Sequence, residues 1–235
     1  MGFGGEVVGL GANAMFNPWI LQRSGYTHHL LGKRLHEQTS VSVEVDLNGL
    51  EGFDGSTVFT AHAYNIYDGE HRKERAACII EISNAARLRA VPGRFREVLR
   101  FKCLFDVIPD DQSWVKATAD RPEMPVAHFH GFSDYTHRSI KALPKLLDAV
   151  LAPLPVEAVR ISPTLNDSEA HVMGTALMGS DRAHSVVDDA LVSHDLRNVL
   201  VLGSSAFPQA TPSNPTLTLS ALSVRAADRV FGRQT

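Results

Sequence analysis

The stretch SEAHVMGTALMGSDRAHSVVDDALVSHDLRNVLVLGSSAFPQATPSNPTLTLSALSVRAAD, residues 168–228, decides how this chain is organised. Within it, NVLVLGSS at 198–205 is typical of a buried strand that ends in a glycine and small hydroxyls. An apolar helical pattern begins at Pro215. His171 lies in a glycine-punctuated apolar run, and Asn214 directly precedes Pro215. A strand, a loop and a helix start can bring these two polar residues to one place.

Three motifs in this stretch occur in a set order. They are H-x-x-G-T-x-x-M-G from His171 to Gly179, V-V-D from Val186 to Asp188, and N-P-T-x-T from Asn214 to Thr218. Together with the helical tail ALSVRAAD, they resemble the C-terminal portion of the GMC (glucose-methanol-choline) flavoprotein oxidoreductases. The resemblance is nearest to the pyranose-oxidase-like branch, which pairs a histidine with an asparagine. Each motif alone is unspecific, and their order and spacing carry the resemblance.

The resemblance implies a role for each residue. His171 would be the base that takes a hydroxyl proton, because an ordinary histidine pKa lies near working pH. Asn214 would donate a hydrogen bond to the substrate oxygen. FAD would accept the electrons. A glycine lets a bound cofactor approach the backbone closely. The first turn of a helix presents unpaired amides at the positive end of the helix dipole. The expected FAD-binding residues are therefore Gly203, Ser204, Asn214, Pro215 and Thr216.

The same residues also have purely structural interpretations. A histidine in an apolar run is usually a satisfied core residue, and an asparagine before a proline is ordinarily a helix cap. Gly203 and Ser204 could simply end a strand. His128 and His130 alternate on a possible strand and could bind a metal, but no second ligand pair accompanies them, so we expect no metal site. The helix after Pro215 is predicted to bury Leu217, Ala221, Val224 and Phe231.

The N-terminal part matches another segment of the same family. EVVGL at 6–10 predicts a short buried strand, and Asn17-Pro18 predicts a helix cap and first helical residue, with the helix ending near Gly25. This portion, with LGKRLHEQ at 31–38, resembles the segment in which the GMC chain returns to its flavin domain. The family's dinucleotide-binding G-x-G-x-x-G motif is absent from these residues. We therefore expect a complementary chain that carries this half, whether as a separate subunit or as the remainder of a truncated protein.

The middle of the chain follows a different pattern. Alternating apolar residues predict strands that include 40–47, 57–67, 76–83, 99–107, 114–117 and 156–161, with a helix over 137–151. The predicted fold class is α/β plus α+β. Residues 1–39 and 161–235 would be pieces of a partial FAD-binding domain, and 40–160 an inserted antiparallel-sheet substrate domain.

Composition excludes several classes of partner. The chain has 235 residues, 44% of them hydrophobic, and a formal net charge of −3. No apolar run reaches the ~20 residues of a membrane helix, and no basic cluster favours nucleic acid. Since no basic segment and apolar core open the chain, we expect no signal peptide. Cys78 and Cys103 lie in strand-like runs and are expected to be reduced core thiols of a cytoplasmic protein.

Two hypotheses of function follow. In the first, the chain is the catalytic half of a flavin-dependent oxidoreductase that oxidises an alcohol, with a sugar or glycoside hydroxyl as the expected substrate. In the second, it is a non-catalytic partner or scaffold that keeps the fold and binds no FAD. The missing dinucleotide half motivates the second hypothesis. The sequence does not distinguish an oxidase from a dehydrogenase, or covalent from non-covalent FAD.

Overall fold

The computed structural model describes residues 5–50, 59–83, 89–94, 98–166 and 168–232. Three helices are described: α1 (Asn13–Arg23), α2 (Asp134–Leu151) and α3 (Thr216–Phe231). The described strands are β1 (Val8–Leu10), β2 (Thr39–Leu47), β3 (Phe59–Ala63), β4 (Cys78–Ser83), β5 (Val98–Phe105), β6 (Trp114–Lys116), β7 (Val126–His128), β8 (Val156–Ile161) and β9 (Val199–Val201). Among these helices, none has both the length and the apolar character that crossing a bilayer requires.

A five-stranded antiparallel sheet forms the larger part of the fold. Its strand order is β3-β4-β5-β2-β8, so β2 pairs with β5 on one side and with β8 on the other. Val41, Val43 and Val45 alternate along β2 and are buried, because side chains at every second position of a strand share one face. Helix α2 covers this face with Leu143, Leu147 and Leu151. Here the strand and helix periodicities correctly predicted both elements.

A second, smaller core joins the two ends of the chain. Strand β1 pairs in parallel with β9, matching Val8 to Val199 and Leu10 to Val201. Helices α1 and α3 pack around this pair, together with the irregular segment that carries Val186 and Leu191. The structure is thus a mixed α/β fold with antiparallel sheets. The proposed division into domains at residues 39 and 160 stays a prediction.

Both cysteines lie in the core of the large sheet. Cys78 on β4 and Cys103 on β5 are buried and free, as the sequence predicted. Burial raises the pKa of the Cys78 thiol well above its ordinary value, because the interior disfavours a thiolate. Both residues therefore act as small apolar side chains of the sheet.

Several predicted boundaries are wrong. Helix α1 begins at Asn13, whose Oδ1 accepts hydrogen bonds from the amides of Met15 and Phe16 at 2.8 and 3.2 Å. Asn17 is fully buried inside this helix, and Pro18 follows it there. The predicted strand over 57–67 is β3 only from Phe59 to Ala63, since 65–67 form a turn; residues 57 and 58 lie outside the described residues.

Two apolar surfaces predicted to be buried are exposed. Strand β1 spans only Val8–Leu10 and is half-buried, because β9 covers it on a single edge. On helix α3, Leu217 is 83% exposed, Val224 61% and Phe231 63%, and Ala221 is exposed too. The buried side of α3 instead carries Ala226, flanked by Leu222 and Val230. Helical spacing fits either stripe, so periodicity alone selected the wrong face.

Candidate active site

A cleft brings several of the predicted site residues together. It measures about 230 Å³, and the predicted residues that line it are His171, Ser204, Pro215 and Thr216. Asn13, Met15, Ala170, Val172 and Leu219 complete its lining. The histidine motif and the start of α3, far apart in the sequence, therefore meet at one place.

The backbone carrying His171 is held by a carboxylate. Glu37 Oε1 accepts hydrogen bonds from the amides of Glu169 and His171, at 2.7 and 2.8 Å. Ala170 between them has φ +60°, a conformation that is unfavourable for a side chain other than glycine. The charge-assisted bonds from Glu37 offset this strain. The loop thus places the His171 ring at the cleft.

The His171 ring is held by Gln38, the residue that follows Glu37 in the chain. Nδ1 of His171 lies 2.7 Å from Oε1 of Gln38. Gln38 is 2% exposed, and its Nε2 donates hydrogen bonds to the backbone oxygens of Thr211 and Ser213. One glutamine therefore connects the histidine loop to the segment that leads into α3.

Gly174 allows the two segments to lie this close. Its φ is +83°, and a Cβ placed on it would lie 2.1 Å from the backbone oxygen of Arg34 and 2.7 Å from Nδ1 of His36. His36 and Met173 form an antiparallel bridge with amide–carbonyl distances of 3.1 and 2.8 Å. Only glycine fits at position 174, which gives the G of the H-x-x-G-T motif a structural reason.

Helix α1 anchors the turn that follows strand β9. Asn17 Nδ2 donates to the backbone oxygen of Leu202 at 3.1 Å and to Ser205 Oγ at 2.6 Å. Ser204 Oγ donates to the backbone oxygen of Val172 at 2.8 Å. Gly203 has φ +86°, and the space where a Cβ would stand is open. Backbone at this position is thus accessible to a bound group.

Helix α3 points its first turn into the cleft. Its first intrahelical bond runs from the Leu219 amide to the Pro215 oxygen at 2.9 Å, so the amides before Leu219 have no helical partner. Thr216 is exposed and lines the cleft. The positive end of the helix dipole therefore lies beside His171, where it favours a negatively charged group.

The side chain of Asn214 does not cap this helix. Its Nδ2 donates to Glu81 Oε1 on β4 at 3.0 Å, and the same oxygen lies 2.9 Å from Nε2 of His62. Asn214 and Gly203 lie next to cleft-lining residues in the chain but are not themselves part of the lining. The structure thus connects Asn214 to the large sheet, where a helix cap was the alternative interpretation.

The sheet presents a polar face near this asparagine. Glu81 on β4 is buried and stands opposite Lys102 on β5. Lys102 Nζ lies 2.8 Å from Glu169, two residues before His171. Sequence reasoning missed Glu37, Gln38 and Glu81. Charged residues at otherwise apolar strand positions, such as Glu81 in CIIEIS, are the signal that could have found the last of these.

The other polar residues singled out in the sequence have structural roles. Asp188 of the V-V-D motif accepts hydrogen bonds from the amides of Ala190 and Val192 at 2.9 and 3.0 Å. His128 is the last residue of β7 and stacks on Trp114, with ring centroids 5.4 Å apart. His130 lies beyond the strand, so the two histidines do not share a strand face. Within the described ranges, no cluster of three or more metal-ligating side chains is found.

Comparisons with known proteins identify similar sequences. A family model described as GMC oxidoreductase matches residues 109–223. The fructose dehydrogenase large subunit of Gluconobacter japonicus is 24% identical over 199 residues, covering 75% of this chain and 36% of that protein. The gluconate 2-dehydrogenase flavoprotein of Pantoea cypripedii is 43% identical over 60 residues, which cover 26% of this chain and 10% of that protein.

Solved structures share the fold. Pyridoxine 4-oxidase from Mesorbium loti superposes with a TM-score of 0.63 at 16% identity, over 97% of this chain and 52% of that one. A formate oxidase variant from Aspergillus oryzae gives a TM-score of 0.66 at 14% identity, over 95% and 53%. The chain thus spans about half the length of these structures and a smaller share of the curated relatives. The family resemblance read from the motifs is confirmed by this match: residues 109–223 are similar to the GMC oxidoreductase family model.

Proposed function

We propose that this chain is the catalytic half of an FAD-dependent oxidoreductase that oxidises an alcohol, with a sugar or glycoside hydroxyl as substrate. The observation that carries the proposal is the cleft where His171, Ser204, Pro215 and Thr216 meet. A base, an open backbone and a helix N-terminus at one place are what alcohol oxidation with an anionic reduced cofactor requires.

His171 would take the proton of the substrate hydroxyl. Its ring is half-buried at the cleft, and Glu37 and Gln38 fix its backbone and ring. A fixed base within reach of the hydroxyl lowers the entropic cost of proton transfer. The loop bonds to Glu37 thus contribute to catalysis by restricting where the imidazole lies.

Asn214 would hold the substrate oxygen. An amide nitrogen has two N–H donors, and Glu81 engages one of them at 3.0 Å. The buried Glu81 carboxylate thereby orients the amide, and the second N–H is available for the alcohol oxygen. Its donation would stabilise the negative charge that develops as the proton leaves.

The residues at and beside the cleft fit the part of an FAD site that this chain would supply. Ser204, Pro215 and Thr216 of the cleft, with the neighbouring Gly203 and Asn214, would hold the cofactor, and the α3 amides beside Thr216 would stabilise negative charge on it. When bound, FAD supplies the acceptor for the hydride removed from the carbon. The open space at Gly203 is the observation that supports close backbone approach there.

A sugar substrate is supported by two independent observations. The relatives with similar sequences are named as fructose and gluconate dehydrogenases. On the sheet beside Asn214, Glu81 bonds to His62 and to Asn214, and Lys102 pairs with Glu169 of the loop that leads to His171. Such alternating donors and acceptors suit a ligand with several hydroxyls. Assignment to the pyranose-oxidase-like branch remains part of this proposal.

A complementary polypeptide with the dinucleotide-binding half would complete the site. Parallel strands are ordinarily covered on both faces, yet among the described strands β1 pairs with β9 alone. Beside them lies an apolar depression of about 620 Å³ lined by Val7, Leu200, Leu202, Ala227 and Phe231, among others. Exposed apolar surface of this kind marks an interaction site. One of the relatives is itself named as a large subunit.

The decisive experiment co-expresses the chain with a polypeptide that carries the G-x-G-x-x-G half. We expect a complex with a flavin absorption spectrum that sugars bleach under anaerobic conditions. His171→Ala should retain flavin and lower its reduction rate at least ~100-fold, the usual contribution of a general base. His184→Ala is the control, because that ring is exposed and bonds only to the nearby Asp181.

Two outcomes would contradict the proposal. Reduction at the wild-type rate in His171→Ala would show that this histidine is not the base. A colourless protein, both alone and with the complementary polypeptide, would favour a non-catalytic scaffold that keeps the fold without binding FAD.

A further inference from the structure

The orientation of the Gln38 amide is determined by its partners. The side-chain nitrogen lies 2.6 Å from the backbone oxygen of Thr211 and 2.7 Å from that of Ser213. Carbonyl oxygens only accept hydrogen bonds, so the group facing them must be the donating NH₂. Rotating the amide by half a turn would place Oε1 against two other oxygens. Oε1 of Gln38 therefore faces the opposite side, toward His171.

This orientation fixes the proton on the His171 ring. Oε1 of Gln38 accepts only, and it lies 2.7 Å from Nδ1. Nδ1 must therefore carry a hydrogen. In a neutral imidazole only one nitrogen is protonated, so Nε2 holds the lone pair. The described part of the chain places no hydrogen-bond partner on Nε2, and the ring lines the cleft.

We propose that Gln38 is a positioning residue that sets the tautomer of His171, making Nε2 the atom that accepts the substrate proton. This inference rests on the proposed function of His171 as the base. In the opposite tautomer, Nε2 would carry a hydrogen and could not take another proton. Gln38 would thus act through His171 without touching the substrate.

A merely structural role for Gln38 makes a different prediction. In that case its purpose is to hold the backbone at Thr211 and Ser213, and any variant without the amide donors has the same effect. Gln38→Glu and Gln38→Leu separate the two roles. Both lose the NH₂ group, but only glutamate keeps an oxygen that can accept from Nδ1. The glutamate variant should therefore keep the wild-type tautomer of His171, and the leucine variant should not.

The first test reads the tautomer directly by NMR. The full chain is labelled with ¹⁵N-histidine, either alone or in its complex with the unlabelled complementary polypeptide, and two-bond ¹H–¹⁵N spectra are recorded on the alkaline side of the histidine titration. His171→Ala identifies the signals of His171 among the 11 histidines. We expect a protonated Nδ1 and a bare Nε2 in wild type and in Gln38→Glu, and a mixture of tautomers in Gln38→Leu. A protonated Nε2 in wild type, or an unchanged spectrum in Gln38→Leu, would overturn the inference.

The second test follows flavin reduction by sugar in the complex across pH. Gln38→Leu should lower the limiting rate at least ~10-fold, because part of the population presents the wrong tautomer. In Gln38→Glu, the carboxylate favours the protonated imidazole, so the acid-side loss of rate should move to higher pH. Equal defects in the two variants, with an unshifted pH profile, would indicate the merely structural role.

Gln22→Leu is the matched control. This glutamine also bridges backbone groups, donating to the Val115 oxygen and accepting from the Ala117 amide, and it has no histidine partner. Its rate and pH profile should match wild type.

The positioning role of Gln38 and the function of His171 as base can fail independently. If NMR gives the expected tautomers while His171→Ala reduces flavin normally, the positioning stands and the function of His171 as base is wrong.

Discussion

At the scale of single residues, buried polar groups decide how the histidine loop is arranged. Gly174, His36 and Gln38 lie within one short length of paired backbone, and each has one arrangement that satisfies its neighbours. The sequence identified the glycine and His171 by motif. It did not identify Glu37 or Gln38, because their partners lie more than a hundred residues away in the chain.

The buried His36 makes stability sensitive to mild acid. Burial lowers its pKa to about 4 from an ordinary 6.5, and Nδ1 lies 2.7 Å from the Arg34 oxygen. Above pH 6.5 the ring is neutral in both states. Between pH 6.5 and 4 the unfolded chain binds a proton that the folded chain does not, so stability falls. The expected loss is on the order of 3 kcal/mol.

Urea unfolding at several pH values checks this effect. His36→Asn keeps an amide that can bond to the Arg34 oxygen and does not titrate. The difference in unfolding free energy between wild type and variant should therefore shift in favour of the variant as the pH falls from 6.5 to 4. A difference that is constant over this range would contradict the prediction.

Replacing Gly174 by alanine should be severely destabilising. The new Cβ would lie 2.1 Å from the Arg34 oxygen in a backbone with φ +83°. We expect a loss on the order of 3–4 kcal/mol from clash and strain together. Gly25→Ala is the matched control, since Gly25 has the same φ of +83° and open space around it; it should cost only ~1 kcal/mol. Similar losses in thermal or urea unfolding for both variants would show that the contact with Arg34 is not decisive.

At the scale of elements, local periodicity gave the right answer for strand β2 and helix α2. Strand β2 and helix α2 pack against each other, so their apolar stripes are complete in the sequence. The start of helix α1 and the buried face of helix α3 were predicted wrongly. Asn13 caps α1 through a side chain in an unusual left-handed backbone, and α3 is apolar on two sides.

An ion pair fastens the edge strand β8 to β2. Nη1 and Nη2 of Arg160 each lie 2.7 Å from an oxygen of the Asp46 carboxylate, and Arg89 approaches it at 3.2 Å. The hydrogen bonds from Arg160 hold the pKa of Asp46 below its ordinary 3.8. This stabilisation is fully present above pH 3.8 and is lost as the pH falls through the folded-state pKa.

Asp46→Asn tests the contribution of that pair. We expect a loss of about 1–3 kcal/mol at neutral pH, because a bidentate, charge-assisted pair is broken at a buried carboxylate. The control is Asp111→Asn, whose pair with Arg34 is exposed on both sides and should contribute at most ~1 kcal/mol. Chemical unfolding of both variants at neutral pH and near pH 3 provides the comparison. An Asp46→Asn loss that is equally large near pH 3 would rule out the charge as its source.

At the scale of the whole molecule, the exposed apolar side of α3 is the surface where we expect the complementary polypeptide. Val224→Glu and Phe231→Ser should change the unfolding free energy by no more than ~0.5 kcal/mol, since both side chains are more than half exposed. The same changes should prevent co-purification with the polypeptide and reduce self-association of the chain alone, because a charged or polar residue disrupts an apolar interface.

Met124→Glu is the control for this surface. Met124 is 49% exposed and lies on the loop between β6 and β7, which is not part of α3. Size-exclusion chromatography and pull-down should give wild-type behaviour for this variant. Undiminished complex formation by Val224→Glu and Phe231→Ser together would place the interface elsewhere.

The sequence by itself determined the alternating strands, the amphipathic α2 and the family resemblance, because these depend on patterns within short windows and on motifs in a set order. The tertiary structure decided which face of α3 is buried, where the Asn214 amide donates, and which residues hold His171. Each of these depends on partners distant in the chain, such as Gln38 for His171 and Glu81 for Asn214. Hydrogen-bond geometry between distant segments leaves no periodic trace in a sequence, and only the folded chain fixes it.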